Sequence, residues 1–175
     1  KTLHYKQDSR HFLIKSYRNL PQLKEAILEL SNATSVKPNI SVLGKLGPDC
    51  IVKNKQTKLA KTELKRIFKG VLGAKTDFAI FCNPEIGTLF ITGSLVSQFL
   101  NDMNGTVLGE IPSGPYGILR GLGITENNAS KYLKDLNKKS FLLILRGYDD
   151  ELNIIEELLK NKNKSNSIIH FRVSF

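Results

Sequence analysis

The two ends of the chain carry the same order of strand, helix and strand signals, and this repeat constrains the fold more than any other feature. At the first end, His11–Tyr17 has the composition of a strand, and Asn19 stands before a run with apolar residues at helical spacing. The alternating segment Asn39–Leu46 follows and stops at Gly47 and Pro48. This end therefore predicts a βαβ unit.

The other end repeats the pattern. Phe141–Leu145 is a continuous apolar strand, Asp149 or Asp150 is placed to cap a helix, and Ser167–Phe175 alternates like an edge strand. When the two ends are aligned on their first strands, identical residues coincide at five positions. These are Phe12 with Phe141, Leu13 with Leu142, Leu23 with Leu152, Leu30 with Leu159, and Asn32 with Asn161.

Two such units predict an α+β protein with a ferredoxin-like split βαβ sandwich and a large structured insertion between the units. The helices of both units are expected on one side of the sheet, with antiparallel neighbouring strands. The alternative is that the ends are unrelated βαβ pieces of a larger mixed sheet. We expect 175 residues to form a single domain. Its parts are 11–47 for the first unit, 48–140 for the insertion and 141–175 for the second unit.

The insertion is too long to be a bare loop, so it must carry its own structure. Thr57 is predicted to cap a helix, and Asn83–Gly87 reads as the turn of a hairpin. The hairpin and a glycine-rich passage are expected to pack against the sheet and shape a cleft. The remaining expected elements are strands at Phe78–Cys82 and Thr88–Thr92, a short helix over Ser94–Asn104 and a helix capped by Thr125.

Positive charge is concentrated in one part of the insertion. The formal net charge is +10, and between Cys50 and Thr76 the only acidic residue is Glu63. This predicts one basic patch and an anionic partner, with nucleic acid as one candidate. The alternative is a solvated helix face with no partner. The candidate patch residues are Lys58, Lys61, Lys65, Arg66 and Lys69.

A second candidate site is the glycine-rich passage before Thr125. Its backbone N–H groups could hold an anion before a helix, although it matches neither the dinucleotide fingerprint nor the P-loop. The alternative is close packing of backbone in a tight connection. The candidate ligand-binding residues are Ser113, Gly114, Tyr116, Gly117 and Arg120.

The segment from Gly87 to Leu145 resembles the bacterial heat-induced general stress protein family. Gly93, Ser94 and Leu95 match a helix start that follows a strand in that family. The resemblance implies a small ferredoxin-like domain with a stress-associated role, and it carries over no catalytic residue. The further matching positions, a turn followed by a helix, are Leu119, Leu122, Gly123, Ile124, Glu126, Ala129 and Tyr132.

No combination of residues in the sequence points to catalysis, a metal or a cofactor. Cys50 and Cys82 have no CxxC or Cys/His spacing, and we expect them to be small buried apolar residues. The three histidines lie far apart in sequence. The acidic run Asp149–Glu151 is explained by its place at a helix start. We therefore expect no enzyme activity.

The sequence thus predicts a non-catalytic, stress-associated or regulatory binding module of unknown ligand. The alternative is a nucleic-acid-binding protein that uses a basic helix around residues 53–75. A homo-oligomer is a further expectation, because an edge strand offers unpaired backbone groups. No apolar run is long enough to span a bilayer, and we expect a soluble, cytoplasmic protein.

Overall fold

The computed structural model describes residues 10–33, 37–50, 55–96, 108–109, 114–162 and 171–174. These residues form an α+β structure. Its helices are α1 (Leu20–Ala33), α2 (Lys55–Leu72), α3 (Gly114–Gly121), α4 (Glu126–Asn137) and α5 (Asp149–Lys162). Its strands are β1 (His11–Tyr17), β2 (Asn39–Gly47), β3 (Phe78–Asn83), β4 (Gly87–Gly93), β5 (Leu108–Gly109), β6 (Phe141–Gly147) and β7 (Phe171–Ser174).

The described strands form one sheet in the order β5-β3-β4-β2-β6-β1-β7. The five strands from β3 to β1 in this order are antiparallel to their neighbours, β7 adds an antiparallel strand, and β5 pairs with β3 in parallel. β6 lies between β1 and β2, so the first strand of the closing unit fills the gap between the two strands of the opening unit. The two ends of the chain therefore share one sheet.

Helices cover both faces of this sheet. One apolar cluster joins a sheet face to α1, α2 and α5, and a second joins the opposite face to α3 and α4. The sequence of β6 is continuously apolar because both of its faces are covered. Leu142 and Ile144 belong to the cluster with α3 and α4, and Leu143 and Leu145 belong to the cluster with α1, α2 and α5. All four are buried.

The hairpin was expected to pack against the sheet, and this is wrong for the described residues. β4 instead pairs with β2, so β3 and β4 extend the sheet sideways. The hairpin itself is confirmed. Its turn is stabilised by the Asn83 side chain, whose Oδ1 accepts hydrogen bonds from the backbone N–H groups of Glu85 and Ile86, each at 3.0 Å.

The predicted helix starts have mixed outcomes. Asn19 caps α1 as expected, because its Oδ1 accepts the N–H of Gln22 at 3.0 Å. Thr57 does not cap α2, which already begins at Lys55 and carries Thr57 buried in its first turn. The predicted helix over Ser94–Asn104 lies outside the described residues from position 97 onward.

The expectation for the cysteines is wrong. Cys50 and Cys82 form a disulfide with their Cα atoms 5.3 Å apart, which joins the segment after β2 to β3. Cys50 is exposed and Cys82 is half-buried. The two cysteines come together because β4 pairs with both β2 and β3, and no local sequence spacing predicts this contact.

Candidate functional site

The basic residues of α2 lie along its solvent side. Lys58, Lys65 and Lys69 are exposed and recur at spacings of seven and four residues, which places them in one row on a helix. Lys61 is half-buried beside this row. At a rise of about 1.5 Å per residue, the row from Lys58 to Lys69 is about 16 Å long. The structure therefore places the predicted patch on one surface, which we call the basic face.

Arg66 is the one member of the predicted patch with an acidic partner among the described contacts. Its Nε and Nη2 atoms donate to Oε2 and Oε1 of Glu63 at 3.1 and 2.6 Å. The hydrogen bond with Arg66 lowers the pKa of Glu63, and the same bond raises the pKa of Arg66. This exposed pair neutralises one positive charge of the basic face.

The two halves of α2 are held to the protein differently. In the second half, Phe68 is fully buried and its ring lies 5.6 Å from that of Phe90 on β4. In the first half, Thr57 is the only buried residue and Leu59 is 61% exposed. The basic face is therefore anchored at one end by an aromatic core and at the other by little apolar contact.

The candidate residues of the glycine-rich passage have structural roles where the structure describes them. Gly114 is buried at a φ of +56°, and a Cβ there would lie 2.8 Å from Nδ2 of Asn83 in the hairpin turn. Tyr116 packs against the core, and Gly117 is half-buried inside α3. Arg120 donates from Nη1 to the carbonyl of Ile124 at 2.9 Å. Ser113 lies outside the described residues.

The described residues also form clefts elsewhere. A groove of about 740 Å³ runs along the outer side of α1, and a polar cleft of about 400 Å³ lies where α2 ends beside the start of β2 and the end of β4. None of the described candidate residues lines either cleft. The groove is lined by Leu20, Pro21, Lys24, Glu25, Leu28, Glu29 and Asn32.

Lys15 is a buried charge that sequence reasoning missed. It lies on β1 between Ile14 and Ser16, it is fully buried, and its Nζ donates to the carbonyl of Leu159 in the last turn of α5 at 3.1 Å. Burial lowers its pKa to about 8. Neither cleft is lined by Lys15. Its geometry is that of a cation that satisfies a carbonyl at a helix C-terminus.

Within the described ranges, no group of three or more His, Cys, Asp or Glu residues is placed to hold a metal ion. No helix in that part of the chain is long and apolar enough to cross a membrane.

No protein-family model, curated protein or solved structure matches this chain. The resemblance to the stress protein family therefore stays a prediction.

Proposed function

We propose that this protein is a non-catalytic binding module and that its basic face binds the phosphate backbone of a nucleic acid. The observation that carries this proposal is the exposed row Lys58, Lys65 and Lys69 on a helix with a single acidic residue. Such a row releases counterions when it neutralises phosphates, which gives affinity without reading bases. The function is binding to a polyanion with little sequence preference.

The helices that cover both faces of the sheet favour a nucleic-acid-binding surface on a helix rather than on the sheet. RNA-binding sheets present aromatic side chains on an open face. Here α3 and α4 pack against one face and α1, α2 and α5 against the other. The aromatic rings of Phe78 and Phe90 stack 5.3 Å apart within the apolar cluster that includes α1, α2 and α5. The basic face of α2 points to solvent instead.

Reversing the charge of the row tests the proposal. The triple substitution Lys58→Glu, Lys65→Glu and Lys69→Glu is expected to weaken binding to a 20-nucleotide DNA at low salt at least about tenfold and to flatten the salt dependence. Fluorescence anisotropy between about 50 and 200 mM salt measures both. All three side chains are exposed, so the fold should survive.

The matched control makes the same change in net charge on the far side of the sheet. Lys131, Lys134 and Lys138 are exposed in or just after α4, and their reversal to Glu should weaken binding much less. Equal losses in both triple variants would show that net charge alone attracts the DNA. The absence of binding by the unsubstituted protein at 50 mM salt would remove the proposal.

Removing the single acid of α2 should have the opposite effect. Glu63→Gln frees Arg66 from its ion pair and adds one positive charge to the basic face, so affinity should rise about threefold and the salt slope should steepen by about one ion. Glu126→Gln, at the start of α4, is the control and should change affinity less. An unchanged affinity for Glu63→Gln would show that Arg66 does not face the ligand.

We also propose the finer fold and context. The order β7-β1-β6-β2, with α1 and α5 on one face, supports a ferredoxin-like single domain in which residues 48–140 add strands and cover the other face. An experimental structure would test it. The stress-associated role rests on the resemblance alone, and unchanged protein abundance after heat shock would count against it.

Assembly and location are proposals of the same kind. β7 ends the order of the described strands and supports self-association through its edge; light scattering that gives a strictly monomeric mass would exclude this. A cytoplasmic location requires the Cys50–Cys82 pair to tolerate a reducing compartment, where disulfides are rare. Alkylation of thiols in intact cells would show in which state the pair is held.

A further inference from the structure

The disulfide lies directly before the helix that carries the basic face. Cys50 lies three residues after the end of β2, and four residues separate it from Lys55, the first residue of α2. Its partner Cys82 belongs to β3, which is fixed in the sheet by pairing with β4. The disulfide therefore ties the chain that enters α2 to the sheet.

Other contacts hold the segment before Cys50. The backbone N–H of Thr88 donates to the carbonyl of Asp49 at 3.1 Å, and the Thr88 hydroxyl donates to the same oxygen. Gly87 meets Pro48 so closely that a Cβ would lie 2.7 Å from the proline carbonyl carbon. These contacts fix the chain up to Asp49, and the disulfide is the last described tie before α2.

Beyond that tie, the first half of α2 buries few apolar side chains. Phe68, with Leu64 and Val71 beside it, packs in the core from the second half only. A helical segment with few buried apolar contacts opens at low free-energy cost. Lys58 and Lys61, two members of the basic face, lie in this weakly held half.

We infer that the Cys50–Cys82 pair is a redox-sensitive restraint that keeps the first half of α2, and with it part of the basic face, in its binding conformation. In the oxidised form, the cross-link limits the opening of this half. In the reduced form, residues 55–62 open more often, while the half anchored by Phe68 stays folded. The redox state of the pair thereby determines whether Lys58 and Lys61 are held on the helix together with the other lysines of the basic face.

The chemistry is thiol–disulfide exchange with a dithiol reductant. A thiolate of the dithiol attacks Sγ of Cys50, the more exposed of the two residues, and Cys82 leaves as a thiolate that takes up a proton. The second thiol of the dithiol then attacks the mixed disulfide and releases Cys50 as a thiol. The sulfur–sulfur bond of the protein is reduced by two electrons, and the dithiol is oxidised to its own disulfide.

Amide hydrogen exchange of the full chain, oxidised and reduced by a phosphine, tests the restraint without any ligand. We expect exchange of the amides in 55–62 to accelerate about tenfold or more on reduction, because a weakly packed segment opens more often once its cross-link is removed. Exchange in α4, on the far side of the sheet, should change little. The variant Cys50→Ser with Cys82→Ser should reproduce the reduced pattern.

Two results would overturn the inference. Unchanged exchange in 55–62 would show that α2 does not depend on the cross-link, and an equal loss of protection in 55–62 and α4 would show a global role. The effect on binding rests on the proposed function: reduction should lower DNA affinity severalfold. If the protein binds no DNA but exchange changes as expected, the proposed function fails and the restraint stands.

Discussion

Replacing Gly93 with alanine is expected to destabilise the protein by at least about 4 kcal/mol or to prevent folding. Gly93 ends β4 at a φ of +102°, a conformation that residues with a Cβ rarely adopt. A Cβ would also collide with the carbonyl of Ile40 and lie 2.7 Å from Cα of Ser41. These atoms belong to the backbone of β2, so no side-chain rotation relieves the contact. Urea denaturation followed by circular dichroism measures the loss.

Gly70 supplies the matched control for this substitution. It lies in α2, and a Cβ there would meet nothing within 4 Å. Gly70→Ala should therefore stabilise the protein by about 0.5–1 kcal/mol, because alanine favours the helix over the unfolded chain. If Gly93→Ala were tolerated as well as Gly70→Ala, the close approach of β4 to β2 at this point would be wrong.

Replacing Lys15 with methionine is expected to stabilise the protein by about 2 kcal/mol at pH 7. The ammonium group is fully buried, it contacts the carbonyl of Leu159 and the ring of Tyr17, 5.3 Å away, and the charge of Glu29 also acts on it. Burial lowers the pKa of Lys15 more than the negative charge of Glu29 raises it, so the cost of burying the ammonium group outweighs this attraction. Methionine has a similar length and removes the cost of burying the charge. The exposed Lys131, changed to methionine, should shift stability by less than about 0.5 kcal/mol.

The gain from Lys15→Met should shrink as the pH rises from 7 to 10. The folded protein loses the Lys15 proton near its pKa of about 8, while the unfolded chain keeps it to an ordinary pKa of 10.5. The unfolded state then binds more protons, so the stability of the unsubstituted protein rises over this window. The variant lacks this rise. A gain that stays constant with pH, measured by urea denaturation, would contradict the assignment.

Two tyrosines act in the opposite direction at higher pH. Burial raises the pKa of Tyr17 and of Tyr132 above the ordinary value of 10. Above pH 10 the unfolded chain releases phenolic protons that the folded protein keeps, so stability falls. The alkaline comparison between Lys15→Met and the unsubstituted protein is therefore best made at pH 10 or below.

The strands and helices at the two ends were predictable because each has a local signature. Asn19 offers a cap at the start of an apolar helical pattern, and its side chain makes that cap. Phe141–Leu145 is apolar without a break, as expected of a strand covered on both faces, and the structure continues it to Gly147. The turn at Asn83 is likewise set by neighbouring residues.

The features that sequence reasoning missed depend on contacts between distant segments. Helix α3 begins with Gly114 and Pro115 and reads as a loop, yet burial of Ile118 and Leu119 outweighs its poor helix propensity. The Cys50–Cys82 disulfide depends on the pairing of β4 with both β2 and β3, which brings the two cysteines together. Lys15 interrupts an apolar strand, and the sequence around it does not predict its hydrogen bond to the carbonyl of Leu159 on α5. The basic face was found because charge spacing on one helix is a local property.

The position of β1 in the sheet has a consequence for biosynthesis. Among the described strands, β1 is made first, and its neighbours β6 and β7 are made last. β2, β4 and β3 can pair while translation continues, whereas β1 has to wait without a hydrogen-bonded neighbour. Through that delay the nascent strand HFLIKSY carries a positive charge only at Lys15, the charge that the finished protein hides.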